Sequence, residues 1–378
     1  MINRLDKLLS LLIAGVMMLS SFSFDSLHTE VVRTDTEDYI GLKTAYEDYF
    51  KIGVAGGSRT LLENKEMVLK NFNSITCENA MKVYAIHPAE NNWQFAEADA
   101  IANLCRENGL VMRGHTLVWG YAYDVCPWML YDGDDYASPE LFYARLKDHV
   151  TTIINRYDDV VYAWDVVNEA LNYNRSDKYK DYLVYQIYGE DYIKNTFRFA
   201  DEALNAIGSD AKLFLNETKM ERSSVKADYT YNLIKQLQAE GIRIDGVGIQ
   251  GHYDFYHPNE SARRVDKTIK RFASLGLDVE ITEMDITIYD DILPGVKYET
   301  LSQWRETFQR ERYKKLFKVY RDNADVITNV TFWGVNDAVS YRSVGEDRAD
   351  WPLLFDVDSN PKSNYYAVTD FYFTQSVK

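Results

Sequence analysis

From residue 52 onward, short β-branched runs alternate with longer amphipathic stretches, and nearly every run ends in polar residues. The runs are IGVAG (52–56), FNSIT (72–76), LVMRGHTLVW (110–119) and VVYAWDVVNE (160–169), then KLFLNE (212–217), GVGIQGHY (246–253), LDVEITEMDI (277–286) and VITNVTFWGV (326–335). Between them lie helical patterns such as PELFYARLKDHVTTIINRY (139–157) and SVKADYTYNLIKQLQAEG (224–241). The second ends at Gly241, a favoured helix stop, and a final helix is expected after Pro361. Eight strand–helix units predict an α/β chain folded as one (β/α)8 barrel domain. An open doubly wound sheet would show the same alternation, but no G-x-G-x-x-G or P-loop follows the first strand. Polar residues at almost all strand ends favour the barrel, whose site is assembled at the C-terminal mouth from many strands. The long connections after the third, fourth and eighth strands are expected to wall the cleft.

The segment before this pattern has its own character. MINRLDKLLSLLIAGVMMLSSFS places Arg4 and Lys7 ahead of an apolar run, Leu8 to Leu19, and a small-x-small exit at Ser21-Phe22-Ser23. This reads as a secretory signal over residues 1–23, then a polar linker over 24–40 and a catalytic domain over 41–378. The run is short for a membrane span, and an uncleaved anchor is the alternative. Removal of the signal implies a secreted, extracellular protein with no membrane contact. The three cysteines, Cys77, Cys105 and Cys126, cannot all pair within the chain, and no C-x-x-C or His/Cys cluster suggests zinc. No H-E-x-x-H occurs either, so no metal or other cofactor is expected. A net charge of −16 argues against nucleic acid or an anionic membrane as partner. It suits a neutral ligand, although solubility alone would account for it. The 14% aromatic content suits sugar rings and equally suits a well-packed core.

Read in period two, the seventh run puts Val279, Ile281, Glu283 and Asp285 on one face, two apolar side chains deep in the barrel followed by two carboxylates at its mouth. Gln250 and His252 share a face in the sixth run, and Arg113, His115, Leu117 and Trp119 share one in the third. In the fourth, Val167 and Glu169 share a face while Asn168 points away, so both polar residues reach the site only if the strand bends or bulges. Two glutamates on opposite strands fit a retaining glycosidase, which needs a nucleophile and an acid/base about 5–5.5 Å apart. The nucleophile must stay ionised, helped by His252 and amide donors. The acid must stay protonated near neutral pH, which burial beside a second carboxylate would favour. Buried glutamates also form structural ion pairs, so residue types alone leave that alternative open.

The motifs HTLVW (115–119), WDVVNEA (164–170), GIQGHY (248–253), ITEMDI (281–286) and TFWGVND (331–337), in this order and spacing, resemble family 10 glycoside hydrolases. FNSITCENAMK (72–82) and LLFDVDSNPKSNYYAV (353–368) are similar to that family's second-strand and closing motifs. The resemblance runs from about residue 45 to 375, most of the chain. It implies a retaining endo-β-1,4-xylanase on a (β/α)8 barrel, monomeric and acting on xylan or xylo-oligosaccharides. Glu169 would be the acid/base, Glu283 the nucleophile and Asn168 the ligand of the sugar 2-hydroxyl. His252 and Asp285 would orient Glu283, with Gln250 near both carboxylates. Glu78, Asn79 and Lys82 would hold sugars on the non-reducing side, and His115, Trp119 and Trp333 would shape floor and wall.

Departures from the family pattern gather on the glycone side. Gly120 stands where the family has histidine, and the stretch GYAYDVCPW (120–128) is a few residues longer than usual. No glutamine occurs between Gln94 and Gln186, so the family's glycone-contacting glutamine has no counterpart. Tyr341 stands where the family has a second tryptophan, a space Trp351 would partly fill. Cys77 and Val83 replace a proline and a tryptophan, and the fifth-strand motif reads NETK (216–219). Bond cleavage is therefore expected with altered subsites. Related β-glucans, short oligosaccharides or aryl xylosides are alternative substrates, and a non-catalytic carbohydrate-binding barrel is the reading from another class.

Overall fold

The structure, a computed structural model, describes residues 39–121, 126–173, 176–289, 296–345 and 347–375. The expected signal and most of the linker, and residues 122–125 of the longer third connection, lie outside the described residues.

Eight parallel strands close on themselves: β1 (Lys51–Gly56), β2 (Ser74–Cys77), β3 (Val111–Gly114), β4 (Val161–Asn168), β5 (Lys212–Glu217), β6 (Gly246–Ile249), β7 (Asp278–Thr287) and β8 (Ile327–Phe332). Each pairs with its sequence neighbours, and β8 returns to β1. The helices α1 (Lys65–Asn71), α2 (Ala96–Asn108), α3 (Pro139–Tyr157), α4 (Asp191–Ile207), α5 (Ser224–Ala239), α6 (Ala262–Ala273), α7 (Gln303–Asp322) and α8 (Ser363–Gln375) each follow one strand. The chain is the expected (β/α)8 barrel, and all eight sequence runs are strands.

Local chemistry explains the helix limits. Ser138 accepts a hydrogen bond from Leu141 N and Pro139 occupies the first turn of α3, so the orphan amides there are satisfied or absent. One face of α3 then buries Phe142, Leu146, Val150, Ile153, Ile154 and Tyr157 against the sheet. Ser223 caps α5 in the same way, and Gly241 beyond its end has φ 69°, the left-handed conformation that glycine adopts without steric cost.

Inside the barrel the deep layers are polar. Arg113 of β3 donates to Glu280 of β7 (Nε–Oε2 2.6 Å) and also pairs with Asp165 of β4. Tyr162 donates to Glu280 (3.0 Å) and accepts from Asn329 of β8 (2.7 Å). Bulk is accommodated by glycines on β6. A Cβ at Gly246 would lie 2.2 Å from the Phe214 ring and one at Gly248 2.1 Å from Asn216 Oδ1.

This interior corrects the period-two reading of β7. The pairing of β7 with β8 shifts between Ile281 and Met284. Below the shift Glu280 and Thr282 face inward, contacting Arg113 and Asn216, so Val279 and Ile281 point outward into the apolar layer under the helices. Above it Glu283 and Asp285 take over the inner face. The bulge inserts one residue, and that reverses the alternation.

Candidate active site

At the C-terminal mouth the ends of β4 to β7 converge. β4 carries a register shift against β5 between Asp165 and Val167, which turns Asn168 inward beside Asn216. Glu169 follows with φ 55°, a left-handed conformation rare for a residue with a Cβ, and so swings its carboxylate over the mouth. The bend required for Asn168 and Glu169 to point the same way is thus present. On β6 the strand stops at Ile249, and Gly251 at φ 79° turns the chain before His252–Asp254 resumes pairing beside Asp285–Thr287. Gln250 and His252 then flank the mouth.

One hydrogen-bonded chain joins the two glutamates. Gln250 Nε2 donates to Glu169 Oε1 (2.9 Å) and to Asn168 Oδ1 (3.4 Å). Asn216 Nδ2 donates to Asn168 Oδ1 (2.9 Å) and to Glu283 Oε1 (2.8 Å). The second Glu283 oxygen faces His252 Nε2 at 3.1 Å. His252 Nδ1 meets Asp285 Oδ2 at 2.8 Å, and Arg342 contacts Asp285 Oδ1 at 3.0–3.1 Å. Charges therefore alternate along Arg342, Asp285, His252 and Glu283. Burial opposes a charged His252, but the adjoining carboxylates overcome it and raise its pKa to about 9. His252 is an imidazolium at neutral pH and donates from both ring nitrogens.

Glu169 departs from expectation. Burial pushes its pKa up, as anticipated, but Lys180 Nζ lies 2.7 Å from Oε2 and, with the Gln250 hydrogen bond, pulls it down to about 2. In this structure Glu169 is a carboxylate, because a cation rather than the second carboxylate is its nearest charged partner.

The remaining sequence-derived residues divide into two groups. Lys82 bonds Asn79 Oδ1 (3.0 Å) and lies 4.6 Å from the Trp119 ring centroid, so the β2 and β3 loops meet there. Glu78 is half-buried, and burial raises its pKa against the opposing pull of Lys82. His115 is buried, bonds Asp165 (2.8 Å) and packs edge-on to Trp333 at 5.3 Å, which in turn lies 6.4 Å from His252. Tyr341 packs edge-on to His252 at 5.4 Å with its hydroxyl 3.3 Å from Nδ1. The carbonyl of Trp351 is engaged by Gln309 and Lys362.

Sequence reasoning missed Asn216, Lys180, Tyr182 and Arg342. Asn216 was within reach, since it is the last residue but one of β5 and pairs with Asn168 at the end of β4. Arg342 adjoins Tyr341 in sequence but sits on a single four-residue helical turn, Tyr341–Val344, too short to show periodicity. Lys180 and Tyr182 lie in the loop after β4, where no repeat signals which side chain turns inward. Among the described residues no group of three His, Cys, Asp or Glu is placed to hold a metal. The three cysteines are buried, and none forms a disulfide among the described residues.

Comparison with known proteins agrees with this architecture. The model of glycosyl hydrolase family 10 matches residues 41–371. A β-1,4-xylanase from Dictyoglomus thermophilum is 36% identical over 373 residues, 98% of this chain and 100% of that protein. Endo-1,4-β-xylanase A from Caldicellulosiruptor saccharolyticus is 39% identical, with 88% of this chain and 96% of that one covered. The crystal structure of an endo-1,4-β-xylanase from Caldicellulosiruptor owensensis is similar at TM-score 0.83 and 36% identity, over 88% of this chain and 100% of that one. A mutant solved in complex with xylotriose matches with the same TM-score, identity and coverage.

Proposed function

The chain belongs to glycosyl hydrolase family 10, a family of retaining glycoside hydrolases, and we propose that it cleaves internal β-1,4-xylosidic bonds of xylan by double displacement. The observation that carries this reading is the hydrogen-bonded chain Glu169–Gln250–Asn168–Asn216–Glu283, which holds two carboxylates at one mouth. Glu283, hydrogen-bonded on one oxygen by the His252 ring and on the other by the Asn216 amide, attacks the anomeric carbon. Glu169 gives a proton to the departing oxygen. Water then attacks the glycosyl-enzyme, losing its proton to Glu169, and the two inversions leave the configuration retained. Asn216 occupies the carbonyl oxygen of Asn168, so Asn168 offers its Nδ2 hydrogens to the sugar 2-hydroxyl, a contact that strengthens as the transition state forms.

Glu78, Asn79 and Lys82 would bind the sugars on the non-reducing side, above a floor formed by Trp119, Trp333 and His115. The glycone departures, Gly120 and Tyr341 above all, support a preference for decorated or short xylo-oligosaccharides over plain xylan. Export and a monomeric state complete the reading, export on the strength of the N-terminal pattern. Glu283→Ala should retain the fold and lose nearly all hydrolysis of xylan, and wild-type turnover by it would refute the nucleophile. Turnover on xylohexaose, glucuronoxylan and arabinoxylan tests the preference, and an ordinary endo pattern on all three would remove it.

A further inference from the structure

The two half-reactions ask opposite things of Glu169. In the first its proton passes to the glycosidic oxygen as the bond to the anomeric carbon breaks. In the second it takes a proton from the water that displaces Glu283. Between these events it is a carboxylate, and the structure holds it in that state. Lys180 Nζ lies 2.7 Å from Oε2, both side chains mostly buried.

The lysine is backed into place. Its ammonium lies 5.4 Å from the Tyr182 ring, and that ring leans over Gly120, where a Cβ would fall 2.5 Å from Cδ2. Any larger residue at 120 would displace the ring that supports Lys180. The unusual glycine and the lysine contact are therefore one arrangement. Other charged groups face the pair from every side. Glu217 of β5 attracts Lys180 and is itself paired with Lys226 of α5 at 2.5 Å, both fully buried. Lys226 also acts on Glu169 from farther away, and His252 and Glu283 stand across the mouth.

We propose that Lys180 is a positioning residue for the acid/base. It docks on Glu169 whenever that carboxylate lacks its proton, readying it as the base of the second step, and releases it when the aglycone sugar enters and Glu169 carries its proton. The proposal rests on the reading of Glu169 as acid/base, and the experiment separates the two.

The test compares Lys180→Met and Lys180→Arg, with Lys180→Gln as a second neutral variant should the methionine protein not fold. The substrates are xylotetraose, which needs the acid, and a dinitrophenyl xylobioside, whose leaving group does not. Removing the cation should move the alkaline limb of kcat/KM on xylotetraose up by about one to three pH units. The acid limb of kcat on the dinitrophenyl substrate, where the second step limits, should move the same way. Lys180→Arg should restore both limbs. Limbs within about 0.2 pH unit of the wild type in the neutral variants would overturn the proposal, as would an arginine variant behaving like the methionine one. Glu169→Gln is the control. Loss on xylotetraose with glycosylation by the dinitrophenyl substrate retained upholds the acid/base reading independently. Equal loss on both substrates would refute that reading, and the proposal with it.

Discussion

Replacing Asp285 by asparagine preserves side-chain shape and removes one charge from the row Arg342, Asp285, His252 and Glu283. Burial disfavours the His252 imidazolium, and the carboxylates on both its nitrogens more than compensate, raising it from 6.5 to about 9. That preference corresponds to about 3 kcal/mol. Because the folded value is raised, the stability it contributes is fully present below pH 6.5 and is lost as pH rises through about 9. Asp285 is the nearer carboxylate, at 2.8 Å against 3.1 Å for Glu283, and supplies the largest attraction. Without it only Glu283 opposes burial, and His252 should be neutral at pH 8. At pH 8 the hydrogen bond to Glu283 then becomes a neutral one, a loss of about 1–2 kcal/mol, or about 5-fold to 30-fold in turnover. The deficit should be smaller at pH 5, where the imidazole recharges. Arg342 would also be left against an amide, costing about 3 kcal/mol of stability. NMR titration of the His252 ring, turnover on xylotetraose at pH 5 and 8, and thermal denaturation from pH 6 to 10 read the three effects. A variant whose His252 is still protonated at pH 8, or whose stability falls above pH 7 as steeply as the wild type's, would refute the reasoning.

Three further outcomes concern the scaffold. Arg113→Met should destabilise by about 3–5 kcal/mol, because Asp165 and Glu280 would face each other across the buried interior with no cation, and urea unfolding measures it. A wild-type midpoint would show that the arginine is dispensable. Gly114→Ala would put a Cβ 2.1 Å from the fully buried Trp164 ring, an overpacking that should cost about 3 kcal/mol, visible as a lowered thermal midpoint. The buried imidazoles His87 and His149 bond through their Nδ1 atoms at 3.2 Å, and burial lowers them to about 4 and about 3. Depressed values mean that the unfolded chain binds protons first, so stability should be complete above pH 6.5 and fall on acidification toward pH 4. His87→Phe, which keeps a ring on Trp93, should flatten that slope, and an unchanged slope would count against the pair.

Strand ends and motifs carried the eight-stranded barrel, because period-two runs ending in polar residues leave few other ways to bury one face and expose a site. They also placed Glu169, Glu283, Gln250 and His252 at one mouth, since each sits in the C-terminal part of its run. Three things were decided only by tertiary structure. The bulge in β7 exchanged Val279 and Ile281 for Glu280 and Thr282 inside the barrel, and bulges leave no composition signal. Arg342 reached Asp285 from a segment 57 residues away. Lys180 met Glu169 across a loop, reversing the protonation that burial alone implied. Short-range pattern fixes which residues line up along an element. Charge state depends on which side chains meet through space, and only the closed barrel sets those distances.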